Sequence, residues 1–510
     1  MPDIVLATLN ARYSHASLGL RYLRANLGAL HGHSALREFV IGQKTEEIAE
    51  AILSEQPRIL GLGVYIWNCE ESLKLVLMLK AVRPELVIIL GGPEVSYECG
   101  EQAICAAADY TITGWGDISF AQLCAQLLAG EAPEARIIPG IQAKLDDIVP
   151  PYGEYTEEDI RQRHLYVEAS RGCPFKCEFC LSALDKTAWP FALENFLADL
   201  EMLWQKGARQ FKFVDRTFNL KIETSLRIMD FFLGKIAENP EDPPFAHFEL
   251  IPDHLPEKLK DAILRFPAGT LQFEIGIQTF NPVVQTRISR KQKNELARAN
   301  ILWLAEHSGA HLHVDLIAGL PGEDTVSFAE GFDKLVALKP HEIQFGILKR
   351  LRGAPIARHS EDFQLRFNPA PPYNILSTDR ISFAEMQELS RFSRYWDMLA
   401  NSGRYTRSME LVLGTSPFNN FNTLSRWLYA KTRQTHAIAH ERMVHLVHEH
   451  LIEARRLDAS LVSEALINDY RGTGGRSRLR FEAADAELPL PKPAKAKRHT
   501  PDRQIRHLQT

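Results

Sequence analysis

Three cysteines of this chain lie within eight residues of one another, as Cys173, Cys177 and Cys180 in a CxxxCxxC arrangement. Three thiolates can hold three irons of a [4Fe–4S] cluster and leave the fourth iron open to another ligand. An open coordination position is what a catalytic metal site needs. Zinc would require a fourth protein ligand, and a low-potential ferredoxin would require a fourth cysteine at a defined spacing. Neither is present nearby, so the spacing indicates a cluster with an open iron.

The elements that must position these cysteines belong to a series of alternating strands and helices. The cysteines follow an apolar segment, which places them on a loop after a strand, where the active sites of α/β barrels are built. Six strand–helix units predict a partial (β/α)6 barrel. The predicted strands are residues 165–169, 210–214, 246–250, 270–277, 311–317 and 342–347.

The cysteine motif, with the aromatic residue Phe179 before its last cysteine, resembles that of radical S-adenosylmethionine (SAM) enzymes. The resemblance covers residues 164–350. It implies that SAM chelates the open iron and is cleaved, by an electron from the cluster, to methionine and a 5′-deoxyadenosyl radical. It also implies an external reductant, a flavodoxin or a ferredoxin.

Further segments at the ends of the predicted strands resemble the SAM-binding segments of that family, in the same order along the chain. One basic side chain among them would pair with the SAM carboxylate, a task that suits a guanidinium. The residues implied are Asp215 and Thr217 at the SAM amino group, Glu274 and Gln278 on the ribose side, Arg290 at the carboxylate and Gly319 on the adenine side.

The first 140 residues also alternate between short apolar runs and helical patterns. This alternation predicts a doubly wound, Rossmann-like parallel sheet whose ligand lies at the loops after the strands. The predicted strands are residues 4–9, 59–64, 86–90 and 110–113, and the predicted helices are 18–30, 45–54, 70–82 and 119–128.

A parallel-sheet domain ahead of such a barrel resembles the cobalamin (B12)-binding domain of one radical SAM subfamily. Glycines at strand ends allow a bulky ligand to approach the backbone, and aromatic side chains on a neighbouring loop would cover a corrin face. The cobalamin contacts implied are Tyr13, His15, Tyr65, Trp67, Gly91, Gly92, Gly114 and Gly116.

The stretch around His15 departs from the DxHxxG motif that supplies a histidine ligand to cobalt in methionine-synthase-type domains. Its aspartate is absent and its spacing is one residue too long. Because histidine ligands usually need a second group to orient them, we expect cobalt without a protein nitrogen. Ligation by His15 is the alternative.

The resemblance implies methylation of an unactivated carbon of a small-molecule or peptide substrate. One SAM would methylate the cobalamin, a second would give the radical, and the substrate radical would take the methyl group from methylcobalamin. A rearrangement or cyclisation without methyl transfer is one alternative, and a non-catalytic cobalamin-binding sensor is another. A methylthiotransferase is a third: Cys69 and Cys99 lie on plausible loops, but the first-strand loop lacks a cysteine.

Composition limits the other possibilities. The chain has 510 residues, a formal net charge of −5 and seven cysteines, an odd number that argues against a disulfide framework. No apolar run approaches the roughly 20 residues of a membrane span. We therefore expect a cytoplasmic enzyme that binds neither membranes nor nucleic acid.

The predicted domains are a cobalamin-binding domain (1–140), a linker (141–163), a radical SAM domain (164–365), a mainly helical domain (366–472) and a disordered tail (473–510). The tail contains the basic residues Lys492, Lys495, Lys497 and Arg498. His440 and His445 resemble a zinc protease motif but are five residues apart, so they diverge around a helix. We expect a polar helix face there.

Overall fold

The computed structural model describes residues 1–482 and 500–508, and it divides into two compact units. The first unit consists of residues 1–216, 349–357 and 368–374, and the second contains residues 217–348, 358–367 and 375–510. The basic run at 492–498 lies outside the described residues.

The first unit begins with a six-stranded, wholly parallel sheet in the order β2-β1-β3-β4-β5-β6. Its strands are β1 (Ile4–Asn10), β2 (Ser34–Val40), β3 (Ile59–Gly63), β4 (Val87–Gly91), β5 (Tyr110–Thr113) and β6 (Ile137–Pro139). The helices of this region are α1 (Leu18–Ala25), α2 (Thr45–Ser54), α3 (Cys69–Val82), α4 (Ala103–Ala107) and α5 (Ser119–Leu128).

The apolar residues of β1 show how this sheet is covered on both faces. Val5 and Leu9 belong to a buried cluster with residues of α2 and α3, whereas Ile4 and Leu6 belong to a second cluster with residues of α1 and α5. Side chains alternate between the faces of a strand, so a continuous apolar run buries both faces. The predicted doubly wound α/β fold is confirmed.

The rest of the first unit leads into the cysteine motif. Strands β7 (Leu165–Val167) and β10 (Gln210–Phe213) pair in parallel, and β8 (Ser170–Arg171) and β9 (Trp189–Pro190) form a short antiparallel pair. The helices here are α6 (Glu157–Gln162) and α7 (Leu193–Gln205).

The second unit contains four more parallel strands in the order β11-β12-β13-β14, as the strand–helix alternation predicts. They are β11 (Phe245–Leu250), β12 (Leu271–Gln278), β13 (His311–Ala318) and β14 (Glu342–Ile347), and the short strands β15 (Arg366–Phe367) and β16 (Ile375–Ser377) follow. The helices between them are α8 (Ile222–Glu238), α9 (Glu257–Leu264), α10 (Pro282–Arg287), α11 (Asn294–His307) and α12 (Thr325–Val336).

The C-terminal part of the second unit is mainly helical, as predicted. Its helices are α13 (Phe383–Leu399), α14 (Thr406–Leu413), α15 (Pro417–Thr432), α16 (His440–Glu449, continued by a π-helical turn over His450–Ala454), α17 (Ala459–Gly472) and α18 (Asp502–His507). No helix among residues 1–482 and 500–508 is both long and apolar enough to cross a membrane.

Three features differ from the sequence-based expectations. Strands β2 and β6 were not predicted, because both edge strands are poorly buried, charged residues interrupt the apolar pattern of β2, and β6 has only three residues. The tail expected to be disordered forms helix α18 within its described part, where Gln504 is buried. The histidine-rich helix is not simply a polar face, since His450 is 1% exposed.

Candidate functional site

The three cysteines of the motif share one loop that follows strand β8. The backbone N–H of Cys173 donates to the Asp185 carbonyl at 3.0 Å, and that of Cys180 donates to the Cys177 carbonyl at 3.1 Å. Burial raises the pKa of the Cys173 thiol, and the neighbouring Cys180 and Cys177 thiols raise it further. The three thiols are therefore near enough to influence one another's ionisation.

Gly172 allows this loop to fold tightly against the segment that follows it. Its φ is +92°, and a Cβ atom there would come within 2.4 Å of Thr187 Oγ1. No set of three His, Cys, Asp or Glu side chains in the described ranges forms a site for a single metal ion. The ligands of a four-iron cluster need not point at a single atom, because each thiolate binds a different iron. The donor set fits a [4Fe–4S] cluster.

Asp215 fixes the chain just before the cysteine loop. Its buried carboxylate accepts hydrogen bonds from the Ala169 backbone N–H at 2.9 Å and from the Ser170 hydroxyl at 2.5 Å. Burial raises its pKa to about 7, although both hydrogen bonds favour the charged form. The structure thus gives Asp215 a positioning contact with residues 169–170.

Arg171 connects the cysteine loop with the end of the first sheet. Its guanidinium donates to Glu168 Oε1 at 2.7 and 3.1 Å and to Asp117 Oδ2 at 3.0 Å. It also lies over the rings of Tyr22 and Trp115, at 4.7 and 4.8 Å from their centroids. Buried carboxylates and aromatic faces around a guanidinium hold it in a single orientation.

A cavity of about 430 Å³ lies at the carboxyl ends of β3, β4 and β5, within the first unit. Ligands of open parallel sheets bind at this edge. The lining includes Gly61, Gly63, Tyr65, Gly91, Gly92, Gly114, Trp115, Gly116, Asp117 and Arg171, together with residues of α1.

Glycines determine the shape of this cavity. A Cβ atom on Gly61 would lie 2.7 Å from the Phe120 ring, and one on Gly92, whose φ is +110°, would lie 2.4 Å from the Val64 carbonyl oxygen. Gly91 differs, since its nearest neighbour would be 4.0 Å away. Larger residues at Gly61 and Gly92 would therefore disrupt the packing that frames the cavity. A large apolar pocket with few polar groups suits part of a bulky organic cofactor, and cobalamin fits this description.

The predicted aromatic contacts divide into two groups. Tyr65 lines the cavity. The Trp67 ring stacks on the Tyr65 ring, with the two centroids 4.5 Å apart, and Trp67 is 46% exposed. Tyr13 does not line the cavity; its hydroxyl donates to Glu158, and Gln162 Oε1 lies 2.8 Å from the same oxygen. Trp67 is also absent from the lining and donates to the Leu9 carbonyl at 3.2 Å.

His15 likewise lies outside the lining of the cavity. Its Nδ1 is 2.5 Å from the Tyr166 hydroxyl, and its ring contacts those of His164 and Tyr166. Burial lowers its pKa, so the imidazole is neutral near pH 7. The expectation of cobalt without a protein nitrogen stays a prediction.

In the second unit, three of the residues expected to bind SAM lie on or beside strand β12. Gln278 ends the strand at a bulge with φ +68°, and Arg290 donates to the Gly276 carbonyl beside it. Glu274 has Oε2 3.2 Å from His247 Nε2. A positive φ in a residue other than glycine marks a strained position of the kind that functional sites retain.

The other two residues of this set lie elsewhere in the second unit. Thr217 is 7% exposed and accepts a hydrogen bond from the Leu220 N–H. Gly319, with φ +89°, allows a close approach, because a Cβ atom would come within 2.6 Å of Ile375. Gly319 therefore has a packing reason to be glycine, independent of a ligand.

Sequence reasoning missed two polar side chains that lie beside the candidate residues. Arg171 stands inside the cysteine motif, but its partner Asp117 is 54 residues away. Glu323 is 2% exposed and accepts a hydrogen bond from Thr279 Oγ1 at 2.5 Å, and burial raises its pKa to about 7. The sequence offered one signal for Glu323, which is its position directly after Gly322 in the glycine-containing segment that follows Gly319.

Three family models match successive segments of the chain. The B12-binding domain model matches residues 4–124, and the radical SAM superfamily model matches residues 167–335. The chain is a radical SAM protein with a B12-binding domain. The cobalamin-binding and radical SAM assignments made from the sequence are thereby confirmed. A third model, described as a protein of unknown function (DUF4080), matches residues 361–483.

Two curated relatives of this radical SAM protein are methyltransferases. The cobalamin-dependent radical SAM methyltransferase TokK of Streptomyces tokunonensis is 24% identical over 58% of this chain and 47% of its own length. The 2-(S-pantetheinyl)-carbapenam-3-carboxylate methyltransferase of Streptantibioticus cattleyicolor is 25% identical over 59% of this chain and 48% of its own length. The chain thus spans about half the length of both relatives.

Among solved structures, the cobalamin-dependent SAM radical enzyme OxsB, with aqua-cobalamin bound, has a similar fold. It superposes with a TM-score of 0.60 at 13% sequence identity, and the match covers 92% of this chain and 79% of OxsB. At this identity the likeness concerns the fold alone.

Proposed function

We propose that this protein is a cobalamin-dependent radical SAM enzyme that methylates an unactivated carbon of a small-molecule or peptide substrate. The observation that carries the proposal is Arg171, which lines the apolar cavity of the B12-binding domain and stands two residues before Cys173. A single side chain therefore borders both cofactor regions. The two methyltransferase relatives support methyl transfer.

When bound, the cluster supplies the electron that cleaves SAM, and cobalamin carries the methyl group. The residues of this chain have simpler tasks. Cys173, Cys177 and Cys180 hold the cluster, and the glycines at the ends of β4 and β5 admit the corrinoid. Arg171 keeps the Asp117 loop and the cysteine loop in register through its buried ion pairs.

Reduction of the cluster requires an electron donor of low potential. We propose that a flavodoxin or a ferredoxin supplies the electron in the cytoplasm. Free thiols persist in that compartment. No disulfide joins any of the seven cysteines, all of which lie within the described residues, and this supports such a compartment.

The proposal is tested by anaerobic incubation of the reconstituted holoprotein with methyl-labelled SAM, a reductant and candidate substrates. We expect 5′-deoxyadenosine, S-adenosylhomocysteine and label in the product. Deoxyadenosine without transferred label would indicate a rearrangement or cyclisation instead. Bound cobalamin without SAM cleavage would indicate a sensor and overturn the enzymatic proposal. The Cys99→Ala variant serves as a control, since the Cys99 thiol donates to the Val95 carbonyl within the B12-binding domain.

A further inference from the structure

The loop that carries the three cysteines, residues 172–190, also presents a solvent-exposed surface to which the cofactor assignments give no task. Two of its exposed residues are lysines, and the others are two prolines and a tryptophan. We refer to these five exposed residues as the loop surface, and all of them lie within the first unit. They are Pro174, Lys176, Lys186, Trp189 and Pro190.

Backbone contacts hold the loop surface beside the first cysteine of the motif. The Cys173 N–H donates to the Asp185 carbonyl at 3.0 Å, so Lys186 directly follows a residue that is bonded to Cys173. Lys176 lies within the motif itself, one residue before Cys177. A protein that delivers an electron to a cluster must dock where the cluster is near the surface, and these contacts place both lysines in that position.

The acidic residues of the loop do not contribute to its exposed surface. Glu178 is 3% exposed. Asp185 is half-buried, and each of its carboxylate oxygens accepts a hydrogen bond, one from Trp115 Nε1 at 3.0 Å and one from Thr187 Oγ1 at 2.7 Å. The charge that the loop presents to solvent is therefore positive.

The two lysines are available to a partner. Both are exposed, and within the described ranges no carboxylate forms an ion pair with Lys176 or Lys186. Neither of them lines the cavity of about 430 Å³ in the B12-binding domain. Exposed ammonium groups attract an anionic surface over a distance of about 10 Å at 0.1 M salt. The lysines are therefore suited to guide an acidic macromolecule to the cysteine loop.

Trp189 gives the loop surface an ordered aromatic part. It is 39% exposed, and its ring meets the Trp115 ring edge-on with the centroids 6.1 Å apart. Its backbone is fixed by the pairing of β9 with β8, opposite Arg171. Aromatic residues are enriched in protein interfaces. Complexes between electron-transfer proteins bury less than about 1,200 Å² in total, so a surface of this small extent suffices.

We propose that the loop surface docks a small, acidic one-electron carrier protein. Lys176 and Lys186 pair with carboxylates of the carrier, and Trp189 packs against apolar surface between them. The carrier gives up one electron and the cluster takes it up, while no covalent bond forms or breaks. This inference rests on the proposed function, because only a bound cluster needs that electron.

The test uses the reconstituted holoprotein and an oxidised, acidic flavodoxin as the probe, in isothermal titration calorimetry at low ionic strength. The double variant Lys176→Gln/Lys186→Gln should raise the Kd for flavodoxin about tenfold, the lower end of what complementary charge contributes to association. Because both lysines are exposed and form no ion pair within the described residues, this variant should fold normally. Salt at about 0.5 M should bring the two Kd values together, since it screens exposed charges.

The matched control is Lys74→Gln/Lys206→Gln, which removes the same charge from two exposed lysines of the first unit outside the loop. Its Kd for flavodoxin should equal that of the wild type. Equal Kd values in the two double variants would overturn the proposal. Absence of binding by the wild type up to about 1 mM flavodoxin would overturn it as well.

Reduced methyl viologen, a small cation that delivers electrons without a docking protein, separates this inference from the proposed function. SAM cleavage with viologen by a protein that does not bind flavodoxin would overturn the docking surface alone. If Lys176→Gln/Lys186→Gln lost as much SAM cleavage with viologen as with reduced flavodoxin, the lysines would serve the active site and the docking assignment would be wrong. No SAM cleavage with viologen in the wild type would overturn the proposed function and this inference with it.

Discussion

Two sets of parallel strand ends in this protein carry different chemistry. In the B12-binding domain, the strands β3 and β4 end in Gly63 and Gly91 beside a cavity of about 430 Å³. In the region of the radical SAM match, the strands lead instead to cysteines and to polar side chains such as Gln278. The same architecture thus presents an open apolar space in one region and thiol and polar side chains in the other.

The difference follows from what each ligand requires. A bulky corrinoid needs backbone that it can approach closely, which glycine provides by lacking a side chain. A cluster and SAM need thiolates, carboxylates and guanidinium groups at fixed positions. Arg171 belongs to both sets, because it lines the cavity and adjoins the cysteine loop.

The largest effect is expected for Cys173→Ala. Loss of one of three thiolate ligands removes the cluster, and SAM cleavage should fall to the uncatalysed background. Iron analysis and quantification of 5′-deoxyadenosine after anaerobic reconstitution measure this result. Cys99→Ala should retain both iron and activity. If Cys173→Ala kept wild-type iron and cleaved SAM, the ligating role of this strand end would be wrong.

Arg171→Met tests the group shared by the two regions. Its loss leaves the buried Glu168 and Asp117 carboxylates without a counter-charge, so we expect a free energy of unfolding about 3–5 kcal/mol lower. Urea denaturation measures it. Arg37→Met is the control, because Arg37 and Glu55 form a surface pair worth about 0–1 kcal/mol. Similar losses in both variants would show that Arg171 does not connect the regions.

Gly91→Leu tests whether the first set of strand ends must remain open. A leucine side chain at this position would occupy the cavity and compete with the corrinoid for space. If this overpacking costs about 1–3 kcal/mol, cobalamin affinity should fall roughly 5- to 150-fold. Gly91→Ala is the matched variant, since its Cβ would clear its nearest neighbour by 4.0 Å. Equilibrium binding followed by visible absorbance distinguishes them. Equal affinity in both variants would place the corrinoid elsewhere.

Glu323→Gln sharpens the polar side of the comparison. Burial raises the pKa of Glu323 to about 7 in the folded protein, above its ordinary value of 4.5. The neutral acid is favoured by folding, so its stabilising contribution is complete below pH 4.5 and is lost as the pH rises through about 7. We expect Glu323→Gln to remove a decline on the order of 1 kcal/mol across this window. Urea denaturation at several pH values between 5 and 8 measures the free energy of unfolding of both proteins. An equal decline of that free energy with pH in the wild type and in Glu323→Gln would contradict this expectation.

The smallest effect is expected for His15→Ala. Because His15 contacts Tyr166 and does not line the cavity, the visible and EPR spectra of bound cobalamin should be unchanged. Loss of a nitrogen-ligand signature in the variant would show that His15 reaches cobalt. That outcome would mean that the B12-binding domain supplies a histidine ligand to cobalt in addition to its open strand ends.

Local patterns allowed much of this to be predicted from the sequence. The buried strands of both series are continuous apolar runs, and the cysteine motif is contained within eight residues. Edge strand β2 was missed because Arg37 and Glu38 interrupt its apolar pattern. In the structure Glu38 forms ion pairs with Arg21 and Arg163, which accounts for a charged residue within this strand. Arg163 is 125 residues from Glu38 along the chain.

The same limit applies to the candidate sites. His15 and Tyr13 were expected near cobalamin from their place in a strand-end loop, but their side chains meet partners about 150 residues further along the chain. Such orientations depend on tertiary contacts that have no local signal. Gly91, Gly92, Gly114 and Gly116 do line the cavity, where the backbone itself, and not a side-chain direction, forms the wall, and their contact with cobalamin stays a prediction.

The central claim is that the two sets of strand ends bind different cofactors. It is tested most directly by measuring iron, cobalt and SAM cleavage in Cys173→Ala and Gly91→Leu after anaerobic reconstitution with cobalamin. We predict that Cys173→Ala loses iron and cleavage but retains cobalamin, whereas Gly91→Leu loses cobalamin but retains iron and cleavage. Retention of cobalamin by Gly91→Leu at wild-type affinity, or loss of cobalamin by a folded Cys173→Ala, would contradict the account.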